Sequence, residues 1–405
     1  MPRLLTLAAA AALFASGVPG ADAADASLAR WQARDLGSLP GLPISNATDI
    51  NSQGKIVGAS CKQFGDEGQF VSCHSVTIAR GKLRDLTAAI GEDEGNEPAI
   101  NDLGHVAHDG GLFGHVYLWQ DGVARDLGPG PGSKYGQVVD LNNRTQILGD
   151  SFNGEAFVWS EGRKQVVPTL GGPLGSFPIA MNNKGCVVGS SDGGKSTHAY
   201  LWCGGRLRDL GTLGGLFSSA ADINDRGQVV GKAEYRRFND HAFLWENGRM
   251  TDLGMLPKQT TSEATLINNR GQIVGVGYGK NDAEGAFLWD RGRMVDLGTL
   301  GGCCSVASDI NERGQIVGWS KNKRGQLHAF IWEKGRMTDL GTLGGTWSEA
   351  HAINERGQIV GQSKPRTGAA HAVLWQRGSA RPSGSGDSHR GKRAIGEREP
   401  SGREK

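Results

Sequence analysis

The 405-residue chain lacks most of the features by which a sequence announces its chemistry. Its formal net charge is only +2. The apolar run Leu4 to Phe14 is too short to span a bilayer as an anchor and no other window approaches that length, so no transmembrane anchor is expected. No Cys-x-x-Cys pair is matched by a second pair or by suitably spaced histidines, so a zinc site is not indicated. There is no serine elbow, no pair of carboxylates in a shared unrepeated loop, and no phosphate-binding glycine loop. The 64 glycines lack the every-third spacing of collagen and therefore read as turns.

The two ends differ in character from the rest. Arg3 precedes the apolar run, and small residues follow up to Ala21-Asp22-Ala23, the layout of a Sec-type signal peptide over residues 1–23. The expected product is secreted or periplasmic, beginning near Ala24, and no Cys stands beside the cleavage site as a lipoprotein would require. From Ser379 onward the chain is Ser, Gly, Pro and charge, with seven Lys or Arg against four Asp or Glu, so residues 379–405 are expected to form a disordered basic tail. Residues 24–378 then carry a net charge of −1, and nucleic acid is not an expected partner.

That middle region is one unit repeated. Asp209 to Met250 is its clearest copy, and units headed by Asp-Leu-Gly or its remnant begin at Asp35, Asp85, Asp126, Val166, Asp209, Asp252, Asp296 and Asp339. A period of about 43 residues accommodates four short strands, as in a propeller blade. Two turns are legible in each unit. Asn224-Asp225-Arg226-Gly227 recurs as Asn-x-x-Gly from Asn51, Asn101, Asn182, Asn268, Asn311 and Asn354, with Thr145 in place of glycine after Asn142. A second turn follows Trp245, and equally Trp119, Trp159, Trp202, Trp289, Trp332 and Trp375.

The turns bound four strands, ending at Ile223, running over Gln228 to Gly231, His241 to Trp245, and Arg249 to Leu253. In the third, both Ala242 and Leu244 on one side and Phe243 and Trp245 on the other are apolar, as expected of a blade packed between two neighbours. The last unit lacks a fourth strand, while Arg30 to Leu36 is a fourth strand with no preceding three. The predicted fold is therefore an all-β, eight-bladed β-propeller over residues 24–378, closed by its N-terminal strand so that no sheet edge is left open.

The strings Asp-Leu-Gly-Thr-Leu-Gly-Gly, Ile-Asn-x-x-Gly-Gln-Ile-Val-Gly and His-Ala-Phe-Leu-Trp resemble those of the HAF-repeat family of bacterial proteins over residues 30–378. The likeness thins in the early units, where Glu155 stands for the histidine and Ser75-Val76 for Ala-Phe. The resemblance implies a secreted repeat protein and no particular reaction.

Candidate site residues fall into four groups. Cys61 with Cys73, flanking the one long insertion, and Cys186 with Cys203, at neighbouring strand ends, are expected disulfides in an exported chain. Cys303 and Cys304 are adjacent in an inter-blade turn and are either a vicinal disulfide forming a stiff apolar ligand contact or an incidental pair, free or variably oxidised. An eight-bladed propeller with adjacent cysteines is similar in those respects to quinoprotein alcohol dehydrogenases, but their Ala-x-Asp-x-x-Thr-Gly pattern is absent and no calcium-binding carboxylate set can be matched. Histidines 74, 115, 198, 241, 328 and 371 share one register. In His198, His241, His328 and His371, as in the repeated Trp202, Trp245, Trp289, Trp332 and Trp375, the expected role is structural, because repetition around a ring disperses these groups beyond metal-ligand range. Asp49, Asp140, Asp222 and Asp309 recur in alternate units; they are candidate ion ligands, calcium being the one cation considered, or else each binds local backbone N–H groups.

No cofactor follows from these residues. The expectation is a monomeric binding or interaction module for an extracellular or envelope protein or glycan, contacting its target through the second-to-third-strand loops. The alternative is an envelope- or polysaccharide-acting enzyme, using carboxylates such as Asp66 and Glu67 in the insertion.

Overall fold

A computed structural model describes residues 31–378 except 65–69, 80, 93, 111–113, 152, 237, 238 and 281–283. The expected signal peptide, the tail, and Asp66 and Glu67 lie outside the described residues. The described strands form eight antiparallel four-stranded sheets, each a blade, and in seven of them the strands pair in sequence order. Blade 5, from the clearest repeat, comprises Ser218–Ile223, Val229–Tyr235, Asn239–Glu246 and Arg249–Gly254. Blade 8 takes Gly344–Ile353, Ile359–Pro365 and His371–Arg377 from the end of the propeller and Trp31–Gly37 from its beginning. The ring closes as expected.

Both faces of a blade are buried. Ala242 and Leu244 pack with Ala264, Ile267 and Phe287 of blade 6. Phe243 and Trp245 pack with Val188, Ala199 and Leu210 of blade 4 and the linker after it. Four consecutive apolar residues are thus buried by two different neighbours, which removes any need for polar alternation.

The Asn turns do more than reverse the chain. Gly227 has φ 80°, as the turn requires, and Asn224 Oδ1 accepts the N–H groups of Arg226 and Gln228 at 3.0 and 3.1 Å. Asn224 Nδ2 then donates to the Asn268 carbonyl of the next blade at 3.1 Å. The same bond runs from Asn51 to Asn101, Asn142, Asn182, Asn224, Asn268, Asn311 and Asn354, and from Asn354 back to Asn51, at 3.0–3.2 Å. Eight carboxamides form a closed circle. At the other end of the inner strand, a buried serine joins each of several blades to its predecessor: Ser218 Oγ donates to Gly211 O at 2.6 Å and accepts Ala199 N–H at 2.9 Å. Ser45, Ser262, Ser305 and Ser348 repeat both bonds.

Ser176 is the exception. The unit that contains it starts with Val166-Val167-Pro168 and has no glycine carbonyl to receive the hydroxyl, so Ser176 makes neither bond and lies against the Tyr200 phenol. The comparison predicts that Ser218→Ala destabilises the fold by about 2 kcal/mol, because two backbone groups lose their partner, whereas Ser176→Ala costs under about 0.5 kcal/mol. Equilibrium unfolding of the two variants checks this; equal losses would contradict the assigned role.

Candidate functional site

The inner strands surround an axial channel. At its turn end lies a basin of about 370 Å³ lined by six asparagines of the circle, Asn142, Asn182, Asn224, Asn268, Asn311 and Asn354, and by the residue after each of the eight, among them Asp102, Asn143, Asp225 and Glu312. These following residues also link blades: Asp102 Oδ1 accepts Ser52 N–H at 2.9 Å, and Glu355 Oε1 accepts Glu312 N–H at 2.7 Å.

Higher in the channel stand the alternating aspartates. The pairing of first and second strands shifts register just before Asp49, Asp140, Asp222 and Asp309. Asp222 Oδ1 accepts Ile223 N–H at 2.7 Å, and its Oδ2 accepts Ile267 N–H of the next blade at 2.8 Å. Asp140 and Asp309 repeat both bonds, and Asp49 binds the Ile50 and Ile100 N–H groups. One carboxylate has two oxygens and serves two blades. The next blade can therefore carry Ala99, Ala180, Leu266 or Ala352 at that position, and the alternation follows from hydrogen-bond satisfaction. Among the described residues no three His, Cys, Asp or Glu side chains come together as a metal-ligand group.

Burial raises all four carboxyls above their usual range. Asp49 and Asp222 reach about 7 and Asp309 about 6, with further raising of Asp49 and Asp222 by neighbouring aspartates and of Asp309 by Glu355. Asp140 is raised by the same burial.

The register histidines each meet an aspartate of the fourth strand. His198, His241 and His328 bind Asp209, Asp252 and Asp339 of their own blade through Nδ1 at 2.8–2.9 Å, and His371 binds Asp35 across the ring closure at 2.9 Å. His74 and His115 do likewise with Asp85 and Asp126. The tryptophans are core: Trp202, Trp245, Trp332 and Trp375 are buried, and Trp289 packs partly buried beside Met294. Disulfides join Cys61 to Cys73, opposite one another in a long hairpin, Cys186 to Cys203, and Cys303 to Cys304. The vicinal pair lies within the first strand of blade 7, Gly301–Ile310, with Cys303 exposed.

Symmetry fails most in blade 2. Seven second strands carry a glycine at one position, and at Gly231 an added Cβ would stand 2.1 Å from the Ser219 carbonyl. Blade 2 has His108 there, fully buried, accepting the Trp119 indole N–H at 2.9 Å, with its pKa lowered by burial to about 4. The histidine fits because the first strand is reduced to Ala99–Ile100 and no longer covers that position. The retreat leaves a cavity of about 580 Å³ on the channel wall, lined by Thr48, Asp49, Asn96, Glu97, Gln137 and Asp140 among others. Blades 4 and 5 depart differently: Phe177 and Ile179 are 46% and 45% exposed, and Leu216 and Phe217 are 62% and 54% exposed. The sequence reading did not single out this apolar wall, the cavity or the asparagine circle.

No protein-family model matches the chain, and no curated protein matches it. Solved propellers are similar in fold. A puromycin-hydrolyzing peptidase of Mycobacterium tuberculosis is 12% identical over 83% of this chain and 60% of its own, with a TM-score of 0.50. The β-propeller domain of the Trilobed protease of Pyrococcus furiosus is 10% identical over 74% of this chain and 96% of its own, at 0.49. TolB of Acinetobacter baumannii is 13% identical over 80% of each chain, at 0.36. At 10–13% identity these likenesses concern the fold alone and say nothing about activity.

The aspartates give a signed pH dependence. Their native pKa values exceed the unfolded value of about 3.9, so the native state holds extra protons, and the stabilisation present at low pH is lost as pH rises through 6–7. Asp222→Asn keeps one acceptor and abolishes the titration. Its melting temperature is expected to lie below wild type at pH 5, with the gap narrowing by pH 8; a constant or widening gap contradicts the raised pKa.

Proposed function

We propose that this propeller is a secreted or periplasmic binding module of the HAF-repeat type, without catalysis of its own, that holds an extracellular or envelope ligand on its loop face. One observation carries the reading: departures from the repeat gather around the loop end of the channel. The paired Cys61–Cys73 hairpin, the cavity beside Ala99–Ile100, and the apolar wall of Phe177, Ile179, Leu216 and Phe217 belong to blades 1, 2, 4 and 5. A polar recess together with exposed aromatics on other blades suits a ligand with both hydroxyl or amide groups and apolar faces, as a glycan or polypeptide has. The disulfides agree with an oxidising compartment, and among the described residues no helix is long and apolar enough to cross a membrane.

A second reading, an enzyme acting on envelope polysaccharide, draws on Asp49, whose pKa of about 7 borders the same cavity as Glu97 and Asp140. Asp49 already serves the backbone, with Oδ1 accepting the Ile50 N–H and the carboxyl interacting with the Ile100 N–H of the next blade, which favours the binding role.

Full-chain protein on a glycan and envelope-protein array is expected to retain ligand without releasing reducing ends, and Phe177→Ser with Phe217→Ser is expected to weaken binding about tenfold or more while the fold melts normally. Turnover of bound polysaccharide, abolished by Asp49→Asn, would replace this reading with the enzymatic one.

A further inference from the structure

The opposite face carries a separate signal. In each blade the first and third strands run the same way, so the Asn turns and the Trp turns emerge at one end of the channel. The described residues of these turns, with Arg377, hold sixteen Lys or Arg against nine Asp or Glu, although residues 31–378 as a whole hold 35 against 36. The near-neutral propeller is therefore polarised, basic on the turn face and acidic along the channel and loop face. Two residues after the turn asparagine stand Arg144, Lys184, Arg226, Arg270, Arg313 and Arg356, one on each of blades 3 to 8, all exposed. None of the six forms a salt bridge with a described residue. Blades 1 and 2 carry Gln53 and Leu103 instead, so the cations form an open arc. Inside the arc lies the rim of Asp102, Asp225, Glu312 and Glu355.

A cleft of about 400 Å³ opens on this arc between blades 7 and 8, lined by Trp31, Arg313, Gln315, Arg356, Gln358 and Arg377 among others. Glu333, also in the cleft, is already held by Gln315 Nε2 at 3.0 Å and by Arg377. Arg313 and Arg356 are left as unbalanced charge. Trp31 is peculiar to the closing strand: blades 3 to 7 begin their fourth strand with Arg163, Arg206, Arg249, Arg293 and Arg336.

We propose that the turn face binds an acidic polysaccharide, laid along the arc of cations with one anionic sugar residue seated in the cleft against Trp31, Arg313 and Arg356. Planar guanidinium groups match carboxylate and sulfate in paired hydrogen bonds, glutamine amides match sugar hydroxyls, and the part-exposed Trp31 indole, with the Arg377 guanidinium 5.2 Å over its ring, adds an apolar edge for the sugar. The concentric arrangement favours a chain over an anionic membrane. A flexible polymer follows the arc and avoids the acidic centre, whereas a flat bilayer would press on both. This inference concerns a face and residues separate from the loop-face reading and stands or falls apart from it.

The test is interferometry of the full chain against immobilised alginate, with neutral dextran, phosphatidylglycerol vesicles and duplex DNA as comparisons. Alginate binding is expected, weakening with salt, and absent for dextran. Arg313→Gln/Arg356→Gln should reduce affinity about tenfold or more, and Trp31→Leu several-fold, while the loop-face change Lys258→Gln/Lys323→Gln leaves it within about twofold. If the cleft variants melt early, Arg144→Gln/Lys184→Gln/Arg270→Gln on the arc supplies the same readout. No alginate binding, equal losses in the loop-face control, or tighter binding to vesicles or DNA through the same residues would overturn the proposal.

Discussion

The propeller depends on one side chain's ability to do two things at once. A carboxamide at the inner turn accepts two N–H groups of its own hairpin through Oδ1 and donates to the next blade's carbonyl through Nδ2. Aspartate could cap the turn but has no donor, and serine is too short to reach across. Repeated eight times the bond becomes a circle, and its last member, from Asn354 to Asn51, joins segments 303 residues apart in sequence. The shared fourth strand of blade 8 closes the outside of the ring as this bond closes the inside. Buried serines, aspartates with one oxygen for each of two blades, and His–Asp pairs add further links, none of which needs a ligand.

A scaffold fixed in this way leaves its exceptions free to vary. Blade 2 loses most of its inner strand yet keeps Asn101 in the circle, bonded to Asn142 at 3.0 Å. The cavity that results therefore sits in a ring still held together around it. Phe177 and Ile179 occupy channel positions of blade 4 while Asn182 completes its turn as in other blades. The same separation holds on the turn face, where the asparagine is invariant among the eight blades and the residue two places on is free to be Arg, Lys, Gln or Leu. Binding surfaces can thus be placed at either end of the channel without disturbing what closes it.

Strand order, both turns, ring closure and two cysteine pairings were legible because each rests on a period visible within a single unit. The asparagine circle was not, since its partner lies 40 to 50 residues away and within one unit Asn looks only like a turn former. The alternation of Asp49, Asp140, Asp222 and Asp309 was visible, but the reason for it, two oxygens shared by two blades, needs the register of neighbouring inner strands. His108 in place of the repeated glycine was the one available sign of the retreat in blade 2, because a side chain there cannot coexist with a normal first strand. Net charge concealed the basic turn face by averaging it with the acidic channel. The signal peptide and tail rest on composition alone.

The closed circle is tested most directly by replacing one asparagine with its isostere. Asn224→Asp keeps shape and turn capping but sets a carboxylate oxygen against the Asn268 carbonyl and the Gln228 side-chain oxygen. The expected result in equilibrium unfolding is a single cooperative transition destabilised by about 3 kcal/mol, close to that of Asn224→Ala, because the cross-blade donor is lost in both. Stability within about 0.5 kcal/mol of wild type for Asn224→Asp would show that turn capping alone suffices and that the circle does not hold the blades together.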